Sequence, residues 1–470
     1  VAQEGRSQLT LSFITVLSFL FLGGNMAGKE DIKERICLAI DRRRDQICRM
    51  GDHIMMNPEL GFKEFETAKM VAKTMDEFGI PHQTDLAITG VKGVLKGKKP
   101  GPTVALIGEL DSLLVSDHPQ ANPATGAAHA CGHNAQIAGL MGAMMGMVDG
   151  KVAEDLAGTV VFFAVPAEEY VEVAYRMELV KAGKLSFLGG KPELIKLGHF
   201  DDIDMAIMIH THSDATMSKT AVSASSNGFV AKMIRFVGRA AHAGGAPHLG
   251  INALSAAQIA LNAIHAQRET FRDEDAIRVH PVITKGGDLV NVVPAEVRME
   301  TYVRGRTAEA ILDANAKVDR ALRAGALAMG AKVEIETLPG YMPLRNNAEL
   351  TRLFKSNAQD LFGADTFSEI GHRTGSTDMG DLSHVMPALH PYMSGANGPG
   401  HSVDWHISDK EMGYIGPAKS LALMAVDLLY GDAAEALGVL DGYEPQMTKE
   451  AFLKFQTDLY HTEVFEGHEK

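Results

Sequence analysis

A mostly parallel α/β sheet, interrupted by a smaller α+β insertion, is the fold class the sequence predicts. Three observations carry it. Runs that are apolar throughout, at 103–107, 159–165 and 205–209, alternate with segments of helical periodicity; strands buried on both faces read this way and need helices above and below them. After Ser218 the strands instead alternate apolar and polar residues, and near Leu344 the first texture returns. The 470 residues exceed one typical domain and suit two.

In chain order, residues 1–25 form a leader or non-native upstream segment. The apolar run Leu9–Leu22 is shorter than the roughly 17–25 residues of a membrane span, and only Arg6 precedes it, beside Glu4. Met26 is read as the start of a cytoplasmic protein, with an exported form as the alternative. Residues 26–218 form the first part of the main domain. Ile32, Ile36, Ile40, Ile47, Met50 and Ile54 recur at helical spacing from Lys29 to Ile54. A second helix is expected over 65–78, stopped by Gly79 and Pro81. Residues 136–149, rich in Met, Gly and Ala, form a helix able to pack closely.

Residues 219–340 form the insertion. Strands are expected at 229–237, 277–284, 296–303 and 332–337, and helices at 251–266 and 308–329. Their β-α-β-β-α-β order matches the ferredoxin-like α+β pattern. Residues 341–470 complete the main domain, with a helix at 417–430 and a C-terminal helical cap.

Composition excludes several classes of function. The chain is 46% hydrophobic and 22% charged, outside the range of disordered, fibrous or multi-pass membrane proteins. A net charge of -14 repels phosphate backbones, and no basic patch counters it, so no nucleic-acid partner is expected. Three cysteines make no disulfide framework and favour a reducing compartment.

Chemistry concentrates just after strand ends, where open α/β sheets place their sites. In His129-Ala-Cys131-Gly-His133-Asn134 a thiolate and an imidazole two residues apart can converge on one cation. A nucleophilic Cys131 is the rival reading. In Pro166-Ala-Glu168-Glu169 one carboxylate can bind metal while its neighbour accepts a proton from water. His210 ends a strand and is taken as a ligand, with His212 incidental or supporting. His401 follows the glycine-rich stretch 395–400. Cys131, His133, Glu169, His210 and His401 together fit one or two metals.

Several motifs, in order, resemble peptidase family M20 in its amidohydrolase branch, subfamily D. They are Pro58-Glu-Leu-Gly-Phe62 with Glu64, Gly108-Glu-Leu-Asp111, His129-Ala-Cys-Gly-His133 and Pro166-Ala-Glu-Glu169. Ala241-His-Ala243, Asn291-Val-Val-Pro294, Gly375-Ser-Thr-Asp378 and His401 follow. The similarity spans about residues 30–430. Glu109-Leu-Asp-Ser-Leu-Leu, where many members have Asp-Met-Asp-Ala-Leu-Pro, and Asn134 in place of Asp look closest to the aminobenzoyl-glutamate hydrolase B subunit.

The resemblance implies a di-metal hydrolase domain with a ferredoxin-like lid that also mediates dimerisation. By the same carry-over Cys131 bridges two divalent ions, Mn2+ or Zn2+, with His133, Glu169, His210 and His401 completing the site. Glu168 is then the general acid/base, and His242 reaches the partner subunit's site to stabilise an oxyanion. Asp111 is read as orienting a ligand.

The expected reaction is hydrolysis of an amide bond in an N-acyl or N-aroyl amino acid, aminobenzoyl-glutamate-like compounds included. Asn291, Arg304 and Ser376 are candidates to hold the substrate carboxylate. A dipeptidase or carboxypeptidase of the same fold, and a non-catalytic metal-binding scaffold, are the alternatives; an intact Glu168 argues against the scaffold. The expected partners are a small-molecule amide substrate and a second copy of the chain, as a homodimer or higher oligomer, with no membrane.

Overall fold

The computed structural model describes residues 28–468. The segment read as a leader, with Met26, lies outside the described residues. A six-stranded sheet runs in the order His82–Leu86, Gly90–Lys96, Ala157–Val165, Lys99–Glu109, Met205–Met208, Ala388–Leu389. The last four strands are mutually parallel, as expected. The first two form an antiparallel edge hairpin that apolar runs did not announce, because its outer strand His82–Leu86 is largely polar and exposed.

The helix His133–Asp149 is buried around almost its whole circumference. Its glycines make that possible. A Cβ at Gly142 would sit 2.8 Å from the Ala418 Cβ, and one at Gly146 would sit 2.3 Å from Ile40 Cγ1. The helices Lys29–Met56 and Gly416–Leu429 therefore pack against it at close range.

A second sheet has its own apolar core and runs Arg278–Val279, Glu296–Gly305, Gly228–Val237, Lys332–Pro339, His461–Glu466, all antiparallel. Helices Ala253–Gln267 and Ala308–Met329 contribute to that core. Asn252 caps the first by accepting from the amides of Leu254 and Ser255, and Thr307 caps the second by accepting from Ala310. The strand expected over 277–284 is split into Arg278–Val279 and Val282–Lys285 around His280-Pro281, since proline offers no amide to the ladder.

Two strand pairings cross the limits expected from the sequence. Thr220–Ser223, placed in the insertion by a boundary at 218, pairs with Phe367–Ile370 and Tyr392–Met393 of the main domain. The carboxyl end is not wholly a helical cap. After the helix Lys449–Leu459 the chain forms His461–Glu466 and pairs with Lys332–Pro339 of the second sheet. Its half-exposed alternation, Thr462 out and Phe465 packed on that core, is a strand signal lost among polar residues. Among the described residues no helix is long and apolar enough to cross a membrane.

Candidate metal centre

Three turns carry the site, each with a residue of positive φ: Gly132 at 118°, Ala167 at 55° and His401 at 60°. Non-glycine residues adopt this region rarely, and where they do it is commonly at functional turns. Gly132 lets the chain reverse between Cys131 and His133 just as the buried helix begins. Ala167 turns Glu168 and Glu169 away from the end of the strand Ala157–Val165. Its amide donates to Glu64 Oε1 at 2.8 Å, and Glu64 in turn accepts from Thr89 Oγ1 at 2.7 Å. The Glu64 motif thus braces the glutamate pair. The buried Arg176 guanidinium holds the same loop by donating to the carbonyls of Glu169 and Leu188.

His133 Nδ1 faces the Asp111 carbonyl at 2.9 Å and Asp111 Oδ1 at 3.1 Å. Asp111 Oδ2 also accepts from the Glu169 amide at 2.9 Å, so one aspartate orients both neighbours. His133 Nε2 is left pointing into the cluster. His210 Nε2 lies 3.4 Å from Cys131 Sγ, its Nδ1 held by the Thr211 carbonyl at 2.7 Å. The His401 amide donates to the Ala130 carbonyl, and its Nε2 lies 3.4 Å from Glu169 Oε1. All five residues read as ligands from the sequence are therefore drawn together. They form two triads, Cys131–His133–His210 and Cys131–Glu169–His401, with donor atoms within 4.8 Å of one another in each. His212 turns aside to the Ser218 carbonyl.

The donors fit divalent cations. Thiolate, imidazole and carboxylate are zinc ligands, and the last two also suit manganese. Two donors each about 2.1 Å from one ion stand roughly 3.0–3.4 Å apart at octahedral to tetrahedral angles, the spacing of His210 from Cys131 and of His401 from Glu169. His133 Nε2 and Glu169 Oε1 are buried without a hydrogen-bond partner. Burial and Glu169 push the Cys131 thiol up, but the imidazoles of His210 and His133 outweigh them and bring it down to about 6. Burial likewise raises Glu169, and His401 overcomes it to hold the carboxylate near 2. Glu168 moves the other way: burial, then the carboxylates of Glu109 and Glu169, raise it well above its ordinary value. Its carbonyl accepts from Tyr341 Oη at 2.5 Å.

The cluster opens into a cavity of about 600 Å³ lined by the loops that carry these residues and by Phe229, Tyr302 and Arg304 of the second sheet. Arg304 and Ser376 line it. Arg304 lies over the Tyr302 ring, 5.5 Å from its centre, and among the described residues forms no ion pair. Ser376 Oγ has no hydrogen-bond partner. His242 and Asn291 do not line this cavity. They are exposed and adjacent, with the Ala243 amide donating to the Asn291 carbonyl at 2.9 Å.

Sequence reasoning missed Glu109, Lys191, Arg373 and His390. Glu109 was signalled: it stands two residues before Asp111 at a strand end, and alternate residues share a face. Arg373 and His390 also line the cavity. His390 is buried with neither ring nitrogen bonded, and nothing in its surroundings in the sequence marks it.

The sequence profile of peptidase family M20/M25/M40 matches residues 105–415. The human Xaa-Arg dipeptidase is 25% identical over 92% of this chain and 97% of its own. The N-acyl-L-amino acid amidohydrolase of Geobacillus stearothermophilus is 26% identical over 67% of this chain and 82% of its own. Among solved structures, the Bacillus subtilis YXEP protein, a dinuclear metal binding peptidase from the M20 family, superposes with a TM-score of 0.62. It is 21% identical, covering 83% of this chain and 99% of that one, a likeness of fold.

Proposed function

The chain belongs to peptidase family M20/M25/M40, and from that premise we propose that it is a metal-dependent amidohydrolase cleaving the amide bond of N-acyl or N-aroyl amino acids. The observation that carries the reading is the pair of ligand triads sharing Cys131, set beside Glu168 at the base of a cavity that also holds the unpaired Arg304. Cys131, His133, Glu169, His210 and His401 would hold two divalent cations, Mn2+ or Zn2+, which when bound would lower the pKa of a water and polarise the substrate carbonyl.

Glu168 takes the proton of the attacking water and returns it to the amide nitrogen as the bond breaks. A carboxyl raised by burial and by two neighbouring carboxylates is suited to hold that proton between the two transfers. Arg304 and Ser376 bind the substrate carboxylate, Arg304 through two parallel hydrogen bonds. His242 donates to the oxyanion in the partner subunit's cavity of a homodimer, with Asn291 beside it. Its Nδ1 accepts from the amides of Gly244 and Gly245 at 3.1 and 2.9 Å, so the neutral ring carries its proton on Nε2, free to donate outward. The second domain acts as lid and dimerisation surface.

Chelation followed by reloading is the test. Purified chain is stripped, reloaded with Mn2+ or Zn2+, and assayed on N-acyl amino acids, aminobenzoyl-glutamate and dipeptides. The reading requires activity lost on chelation and restored by metal. Activity that survives chelation assigns the reaction to Cys131 as a nucleophile instead.

A further inference from the structure

We propose that Glu109 is a sixth protein ligand of the centre, binding the cation held by Cys131, His133 and His210. The inference rests on the di-metal reading of the site and adds a carboxylate to it. Glu109 closes the strand Lys99–Glu109 and is fully buried. It and Asp111 approach the same imidazole from opposite ends, Asp111 holding Nδ1 and Glu109 Oε2 standing 3.0 Å from Nε2. That Nε2 is the nitrogen available to a cation, and it makes no hydrogen bond despite the proximity. A separation of 3.0 Å is what two neighbouring donors on one six-coordinate ion show, each about 2.1 Å from it. Donor atoms of Glu109, His133 and Glu168 also lie within 4.8 Å of one another.

The surroundings fix Glu109 in this position. Oε1 accepts from Lys191 Nζ at 2.5 Å, and Oε2 accepts from Gln136 Nε2 at 2.8 Å. Lys191 is itself fully buried and also paired with Asp378. Its charge offsets the added carboxylate, so the anion is retained inside the protein without overloading the centre. An oxygen donor in this triad moves the preference of that position toward manganese and away from zinc.

Crystals of the full chain loaded with Mn2+ test the assignment. Glu109 Oε2 is expected at about 2.2 Å from the ion on His133 Nε2. An Oε2 beyond about 3 Å from every ion overturns the inference, while ions seated on the other five ligands leave the di-metal reading intact. Crystals with no ion on any of these ligands overturn both. In solution, Glu109→Gln with an unchanged circular dichroism spectrum is titrated with Mn2+ by calorimetry. One of two sites is expected to weaken about tenfold or more, with the other unchanged; equal affinity at both sites overturns the inference. Glu109→Asp keeps the charge and shortens the reach. It is expected to weaken the same site, and it stands in where Glu109→Gln does not fold.

Discussion

Cys131 Sγ lies 3.4 Å from His210 Nε2, although 79 residues of chain separate them. The contact joins the loop before a buried helix to the strand His210–Thr211 beyond the central sheet, and the imidazoles around Cys131 bring its thiol down to about 6. A thiolate at neutral pH that belongs to both of these triads is, on the proposed di-metal reading, a donor whose loss would affect both ions.

Cys131→Ala is therefore expected to lower the metal content from two ions per chain and to reduce kcat/KM at least about 100-fold, more than loss of a supporting contact costs. Elemental analysis after gel filtration reads the first quantity directly. A variant that still carries two ions would show that Cys131 is not shared between them.

Glu168→Gln preserves shape and removes the proton acceptor. Metal content and KM should stay close to wild type while kcat drops about 10²–10⁴-fold. Loss of metal in this variant would instead make Glu168 a ligand, a role its position beside Glu109 and His133 makes worth excluding.

Much of the fold was legible because its strands are apolar throughout and its helices keep their period; 308–329 was read to the residue. What escaped has physical reasons. His461–Glu466 is an edge strand whose partner lies more than a hundred residues away, so its pairing has no local trace. The five residues proposed as ligands, whose donor atoms the structure draws together, stood out because thiol, imidazole and carboxylate at strand ends are rare together. Lys191 and His390 did not, since their significance comes only from burial beside residues distant in the chain, Glu109 and Asp378 for one and His210 for the other.

Arg304→Met tests recognition of the substrate carboxylate. Charge-assisted hydrogen bonds contribute about 1.5–3 kcal/mol, so kcat/KM for N-acyl amino acids should fall roughly 10–100-fold. The same substrates with the carboxylate amidated should respond little. Equal loss on both kinds of substrate would assign Arg304 to the architecture of the cavity.

His390 gives the protein an acid-sensitive element. Burial first, then the nearby His210 imidazole, pushes it down to about 3. Below its ordinary value of 6.5 the unfolded chain takes up a proton that the folded chain refuses. The stability it permits is thus complete above about pH 6.5 and declines by roughly 1.4 kcal/mol per pH unit as pH falls toward 3. Urea unfolding of the chelated protein and of its His390→Leu variant from pH 7 to 5 should differ in slope by about this amount, the contributions of other buried groups such as His129 and Glu168 being common to both. An unaltered slope in that variant would place the acid sensitivity elsewhere.

The exposed His242 lies outside the cavity of its own chain, which makes its role a question about pairs of subunits. His242→Ala and Glu168→Gln should each be nearly inactive, because one lacks the oxyanion donor and the other the proton carrier. If each site borrows its His242 from the partner, exchanging the two variants creates mixed dimers with one intact site. Half of randomly formed pairs are mixed, so activity should recover to about a quarter of wild type. If His242 served its own chain, every site in the mixture would keep one defect and no activity would return. Recovery therefore separates the two geometries, and its dependence on subunit exchange, followed by mixing time and protein concentration, shows that the restored site spans two chains.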